Sequence, residues 1–254
     1  MDLSRAAILL GAGALAGLMN SIAGGGTIVT FPALIVSGLS SIVANATSTI
    51  ALLPGTVSMV FGYRRNIPAI RWWLKLFAPV SLVGGLIGGI LLVHTPTRVF
   101  DWLVPFLILF ATILFMANAA VSRFFRPQGK EPSRRWLWGA IAFQFGVALY
   151  GGYFGAGIGI LMLASLGMLG FADVHEMNTV KTILGFLINI VAAVYFVMSA
   201  IVDWPSAAVM AVGTIAGGFS GAHFSQKVDQ KVVRSLITLI GLTLSALMFF
   251  RQFS

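Results

Sequence analysis

Between Arg5 and Arg64 the chain carries no aspartate, glutamate, lysine or arginine. Further charge-free runs separate Lys75 from Arg98, Asp101 from Arg123, Arg135 from Asp173, Lys181 from Asp203, Asp203 from Lys227, and Arg234 from Arg251. A helix that crosses a bilayer needs roughly 20 apolar residues, and each run holds at least one such helix. A membrane β-barrel would show alternating segments of about 10 residues, and these runs do not alternate. The expected fold class is therefore all-α, a polytopic integral membrane protein. Composition agrees. Charged residues make up 9% of the 254 and hydrophobic residues 58%, where a soluble domain carries about 25% charged residues. A soluble enzyme, a nucleic-acid-binding module and a disordered chain are excluded.

The net charge of +9 would suggest nucleic acid in a soluble protein. Here it is explained by Lys and Arg retained in cytoplasmic loops. The expected partners are the lipid bilayer and a small anionic substrate, with no nucleic acid; homo-oligomer formation stays open. The expected location is the cell membrane, in bacteria the inner membrane. Cysteine is absent, which removes disulfides, thiolate chemistry and cysteine-held metals. Three His and seven acidic residues offer little for a structural metal, and no cofactor is expected. The opening MDLSRAAILLGAGALAGLMN has a weak n-region and an apolar run too long for a signal peptide. It reads as a retained membrane helix.

Gly, Pro and charge signals divide the chain. Apolar segments are expected at 6–23, 44–62, 74–94 and 99–121, with a short piece at 27–38 after the Gly24-Gly25-Gly26 break. A basic linker with two prolines covers 123–135. The layout then recurs: 136–152, a break at Gly155-Ala156-Gly157-Ile158-Gly159, a short piece to Gly170, and segments 176–200, 206–224 and 231–250. A shift of 131–133 residues lays the first break on the second, Tyr63 on Tyr195, Trp72 on Trp204, and Gly84, Gly85 and Gly88 on Gly217, Gly218 and Gly221. It also lays Asn45 and Thr49 on Asn178 and Thr182. The expected units are a first repeat at 1–122, the linker at 123–135 and a second repeat at 136–254.

Charge orients the halves. The loop with Arg64, Arg65, Arg71 and Lys75 is basic, as is the linker, and both should be cytoplasmic. The loop near Asp203 carries no Lys or Arg, while the loop holding Lys227, Lys231 and Arg234 does. Corresponding loops thus face opposite sides. About five segments per half give inverted-topology repeats with both termini outside. Twelve residues of helix rise about 18 Å, less than a bilayer core of about 30 Å, so it is open whether 27–38 and 158–170 cross fully.

Inverted repeats with glycine-interrupted short helices point to transport. In such folds the broken helices meet near the midplane and their free N–H groups take anionic substrate atoms. The candidate substrate-binding residues at the breaks are Gly24, Gly25, Gly26, Thr27, Gly155, Gly157 and Ile158. Glycine there also lets helices pack closely, the expected role of Gly84, Gly85, Gly88, Gly89, Gly217 and Gly221. Lys181 is a cation inside an apolar segment, which costs about 2.5–3.5 kcal/mol at a helix centre. It should face an anion or a polar cavity, or else snorkel from the segment's start. Asn45, Thr47, Ser48 and Thr49, with Asn178, Thr179 and Thr182, suit oxyanion recognition, capping or interhelical bonding alike. Asn20, Ser21 and Asn189 are similar. His94 and His223 fit the membrane interface, and Asp173, His175 and Glu176 a solvated loop.

Two non-transport readings compete. Gly218-Phe219-Ser220-Gly221 matches the GxSG string of rhomboid intramembrane proteases. Those need a His base on another helix, whereas His223 lies on the same one. A membrane assembly factor for another complex is the other alternative. Neither break sits in a βαβ unit, so nucleotide-binding readings fail.

The stretch GLMNSIAGGGTIVTFPALIVSGLSSIVANATSTIALLPGTVSMVFGYRRN resembles the opening half of the sulfite exporter TauE/SafE family of membrane transporters. The shared features are Gly24-Gly25-Gly26, Pro32, Ala44 to Ser48, Tyr63 and Arg64-Arg65. GAGIGILMLASLGMLGFADVHEMNTVKTILGFLIN resembles the family's second glycine-rich element and its helix with Asn178, Lys181 and Asn189. Ala156 departs from it, standing where a third glycine would mirror the first break. The resemblance spans nearly the whole chain. It implies a transporter, not an enzyme, for small anions such as sulfite, sulfonates and related sulfur or carboxylate compounds. Alternating access would come from one repeat moving against the other.

Overall fold

The computed structural model describes residues 2–22, 25–124, 134–169, 171 and 174–224, and scattered positions within 238–250. Gly24, most of the linker and half of the segment expected at 231–250 lie outside the described residues. The described elements are helical: α1 (Leu3–Ile22), α2 (Thr27–Val36), α3 (Ser41–Tyr63), a 3-10 turn (Arg64–Asn66), α4 (Ile67–His94), α5 (Thr97–Phe124), α6 (Arg134–Tyr153), α7 (Ile158–Met168), α8 (Val174–Met198) and α9 (Trp204–Phe224). Stretches long and apolar enough to cross a membrane are Leu3–Asn20, Ser41–His94, Thr97–Leu114 and Glu176–Met198. The second of these holds both α3 and α4.

Several helices outrun their apolar segments. Arg71 and Lys75, expected in a loop, sit in the first turns of α4 and point outward. Pro68 near the start fits the first turn, where its missing N–H costs nothing. Long basic side chains then carry the helix into the headgroup region. Exposed Trp72, Trp102, Trp138 and Trp204 lie near the starts of α4, α5, α6 and α9, where amphipathic rings suit a membrane–water interface.

The packing is reciprocal under the 131–133-residue shift. Helix α1 packs on α9, and α6, its counterpart, packs on α4. Helices α3 and α8 meet centrally, with α9 beside α3 and α4 beside α8. Glycines set the closest approaches. A Cβ on Gly17 would overlap the carbonyl of Thr214, and one on Gly217 the carbonyl of Ala14. On the other side, Gly88 rests on the carbonyl of Leu149 and Gly152 on that of Gly85. These small-residue seams bring backbone onto backbone.

Each short helix lies in its own apolar core. Around α2 this is built on Phe31, Phe100 and Phe154; around α7 on Met162, Phe77 and Ile188. The rings of Phe31 and Phe154 meet edge to face at 5.4 Å, a favourable arrangement for aromatic quadrupoles. With 10 and 11 residues, α2 and α7 rise about 15–17 Å, about half a bilayer core. The backbone N–H of Asp203 donates to Thr47 Oγ1 at 3.0 Å, near the start of α3. Arg64 follows the end of that helix, about 25 Å away at helical rise. Asn66 donates to Thr179 Oγ1 at 3.4 Å, so α8 begins where α3 ends and the two run antiparallel.

Candidate functional site

Both breaks depend on glycine. Gly25 has φ +90°, and Gly155 and Gly157 have φ +81° and +79°, a region where a Cβ meets the following carbonyl. The first turn is held by Asn20 Oδ1, which accepts the Gly26 N–H at 2.8 Å. The second is held by Tyr150, whose hydroxyl donates to the Ala156 carbonyl at 2.8 Å. The chain thus leaves α1 and α6, reverses, and starts α2 and α7 inside the bundle.

Between these starts lies a cavity of about 120 Å³. Asn20, Gly25, Gly26 and Thr27 line it from the first break, and Gly155, Gly157, Ile158 and Gly159 from the second. Helix α8 contributes Lys181, Thr182, Gly185 and Asn189; α3 contributes Leu52, Thr56 and Met59; α7 adds Met162. The Lys181 ammonium donates to Asn178 Oδ1 at 3.1 Å. Its stem lies over Gly159, where a Cβ would come within 3.3 Å of Lys181 Cδ. Lys181 therefore runs along the start of α7 rather than up to the membrane surface. Among the described lining residues it is the one ionisable side chain, and none is a carboxylate.

Other sequence-selected residues lie elsewhere. Asn45 is buried and donates to the Tyr153 carbonyl at 3.0 Å. Thr47 takes the Asp203 N–H, and Ser48 and Thr30 share a hydrogen bond of 2.6 Å between α3 and α2. Thr49 donates to the Asn45 carbonyl at 3.0 Å. Thr179 accepts from Asn66. Asn178 acts on Lys181. Ser21 falls in the last turn of α1, with its side chain outside the described set, as is Gly24. His94 Nδ1 lies 2.9 Å from the Ile90 carbonyl at the exposed end of α4.

The lining residues Leu52, Thr56, Met59, Gly159, Met162 and Gly185 were not selected from the sequence. A signal existed for three of them. The 133-residue shift pairs Thr56 with Asn189 and Leu52 with Gly185. Thr56 also lies two turns beyond Thr49, on the same face of α3. A larger cavity, about 870 Å³, opens near the start of α3 against Ser41, Arg98, Asp101 and Trp102. Ser41 donates to Asp101 there. None of the sequence-selected residues lines it, and neither break reaches it. A third space, about 470 Å³, adjoins the central cavity through Asn20, Leu52 and Met59 and runs between α3 and α9 towards Tyr63.

Comparison with known proteins places this arrangement. The profile of the sulfite exporter TauE/SafE family matches residues 9–248. A "Probable membrane transporter protein" of Haemophilus influenzae is 26% identical over 97% of this chain and 95% of its own length. The "Probable membrane transporter protein YfcA" of Escherichia coli is 27% identical over 91% of this chain and 85% of its own. The "Probable membrane transporter protein YunE" of Bacillus subtilis is 26% identical over 92% and 95%. No solved structure matches the chain. Members of the matched family are transporters rather than enzymes, which removes the protease reading of Gly218 to Gly221. The chain belongs to the sulfite exporter TauE/SafE family and is a multi-pass membrane transporter.

Proposed function

We propose that the protein carries a small organic or sulfur-containing anion, sulfite- or sulfonate-like, across the cell membrane, in bacteria the inner membrane. The substrate sits in the cavity between the two glycine breaks. Residues 1–122 and 136–254 act as inverted repeats joined by a cytoplasmic linker, and access to the cavity alternates between the two sides.

The observation that carries this reading is the Lys181 ammonium in a cavity whose described lining holds no carboxylate. A cation inside the bundle is costly, and Asn178 gives it a dipole but no countercharge. The first turns of α2 and α7 face the same space. A helix start acts as about half a positive charge; at α2 the N–H groups of Gly26, Ile28, Val29 and Thr30 already bond to Asn20 and to the Gly25 and Gly26 carbonyls, so what α2 offers is its field more than free donors. All three fields favour a bound anion. Thr27, Thr182, Asn20 and Asn189 supply further hydrogen-bonding groups for its oxygens.

The test is flux into proteoliposomes of purified protein. Lys181→Ala should abolish anion uptake while leaving expression and thermal midpoint near wild type, and Lys181→Arg should retain part of it. Normal flux in Lys181→Ala would sink the reading. The absence of a carboxylate among the described lining residues adds a specificity prediction. A zwitterion such as taurine brings an ammonium that finds no partner, so it should compete about tenfold or more less well than ethanesulfonate. Equal competition would point to an acidic group near the site.

A further inference from the structure

The groove beside the central cavity differs in chemistry from the cavity itself. Its wall is Gly17, Leu52, Gly55, Met59, Gly62, Ile215, Gly218 and Phe219, with Asn20, Ser58, Tyr63 and Thr214 as its polar members. Two of those hydroxyls are already committed to backbone carbonyls. Thr214 donates to Ala51 at 2.8 Å, and Ser58 to Pro54 at 3.2 Å. The groove therefore shows a ligand mostly carbon.

The sequence makes this groove on one side only. At the shift that pairs Thr56 with Asn189, Gly218 corresponds to Gly85 and Gly55 to Ile188. In the second pair the space is filled: a Cβ on Gly85 would lie 3.0 Å from Ile188 Cα and 3.1 Å from a Val191 methyl. In the first pair both positions are glycine, and neither is pressed. Among the described residues, a Cβ on Gly55 would meet only the Thr214 carbonyl, at 3.8 Å, and one on Gly218 only that of Gly17, at 3.9 Å. Mid-helix glycine costs about 1 kcal/mol against alanine, and close packing by the described residues does not explain it at these two positions. What both glycines do is leave room.

Size points the same way. A cavity of about 120 Å³ holds only an anionic head of a few atoms. With the adjoining 470 Å³ the combined space falls within the roughly 300–1,000 Å³ usual for organic ligands. We propose that the transported anion is amphiphilic: its charged group sits at Lys181, and an apolar arm lies in the groove between α3 and α9. This rests on the central cavity being the anion site, and it narrows the substrate class to organic anions with a hydrocarbon arm.

The experiment measures binding of methane-, butane- and hexanesulfonate to purified protein in lipid nanodiscs, with 1-hexanol as the uncharged control. Affinity should rise about threefold to fourfold for each methylene buried, and hexanol should not bind. Gly55→Leu and Gly218→Val, which fill the groove from opposite walls, should each flatten the series. Either one suffices if the other fails to fold. Equal affinity for all three sulfonates in the wild type would overturn the proposal. So would a slope that survives a folded groove variant, or hexanol binding as well as hexanesulfonate, the sign of a groove that holds lipid chains. Lys181→Ala separates the two levels. If it removes methanesulfonate binding while the wild-type series is flat, the cavity stands and the groove falls. If methanesulfonate binds Lys181→Ala normally, or no sulfonate binds the wild type, the cavity reading fails and takes the groove with it.

Discussion

The two glycine breaks share a shape and differ in charge. Each follows a long helix, reverses through glycine at positive φ and starts a half-length helix. Beside the second break stands Lys181, held by Asn178. Beside the first, 133 residues earlier, stands Ser48, fully buried and bonded to Thr30. Asn45, the counterpart of Asn178, instead donates to the carbonyl of Tyr153. One break is sealed by hydroxyl contacts between its own helices, and the other holds a cation towards the cavity. The two breaks share a frame, and the residues beside them put a cation on one side of it only. A bound anion should therefore sit off centre, nearer α7 than α2.

The largest expected effect tests that displacement. Lys181→Ala should lower flux by about 100-fold or more, the loss expected on removing one member of a buried charge pair. Ser48→Ala should act chiefly on stability, costing about 1 kcal/mol for a lost hydrogen bond and lowering the thermal midpoint, with a far smaller loss of flux. Comparable flux losses in the two variants would make the breaks functionally equal and undo the comparison.

Next come the turns themselves. Gly25→Ala and Gly157→Ala each force a side chain into left-handed backbone and should each cost about 1–2 kcal/mol, read as a lower midpoint in detergent. Similar losses would confirm that the frame is shared, and a loss at one break alone would show that only that turn is needed. The smallest effect separates the two locks. Tyr150→Phe removes one hydrogen bond outside the cavity lining and should lower stability by about 1 kcal/mol with substrate KM near wild type. Asn20→Ala should lower stability by a similar amount and also raise KM, because Asn20 lines the cavity. An unchanged KM in Asn20→Ala would assign it to the turn alone.

Much of the frame was readable from charge and glycine. The long apolar runs marked the helices, and the two glycine clusters marked the breaks. Helix ends were less legible. Arg71, Lys75 and Arg98 looked like loop residues, yet they continue helices, because their long stems let a charge reach water from a helical position. In the site, Asn20, Lys181, Thr182 and Asn189 stood out as polar groups within apolar sequence. Met59, Met162 and Gly185 did not, since an apolar residue facing a cavity looks like one facing lipid. Asn45, Thr47, Ser48, Thr49 and Thr179 carry the same chemistry as the lining residues. What distinguishes them is that they bond to neighbouring chain segments or their own helix away from the cavity, and a partner 156 residues away, as for Thr47 and Asp203, leaves no mark in the local sequence.

The glycine contacts of α1 with α9 and of α4 with α6 staple opposite halves of the chain together. At these places main chain rests on main chain, and no intervening side chain can switch rotamer to absorb a shift. Each pair is a stiff girder. Sliding residues 1–122 as one block past residues 136–254 would shear both girders at once. A motion that left them whole would move α1 with α9 and α4 with α6. Each girder joins a helix from one half of the chain to a helix from the other, and neither is a contiguous stretch of sequence.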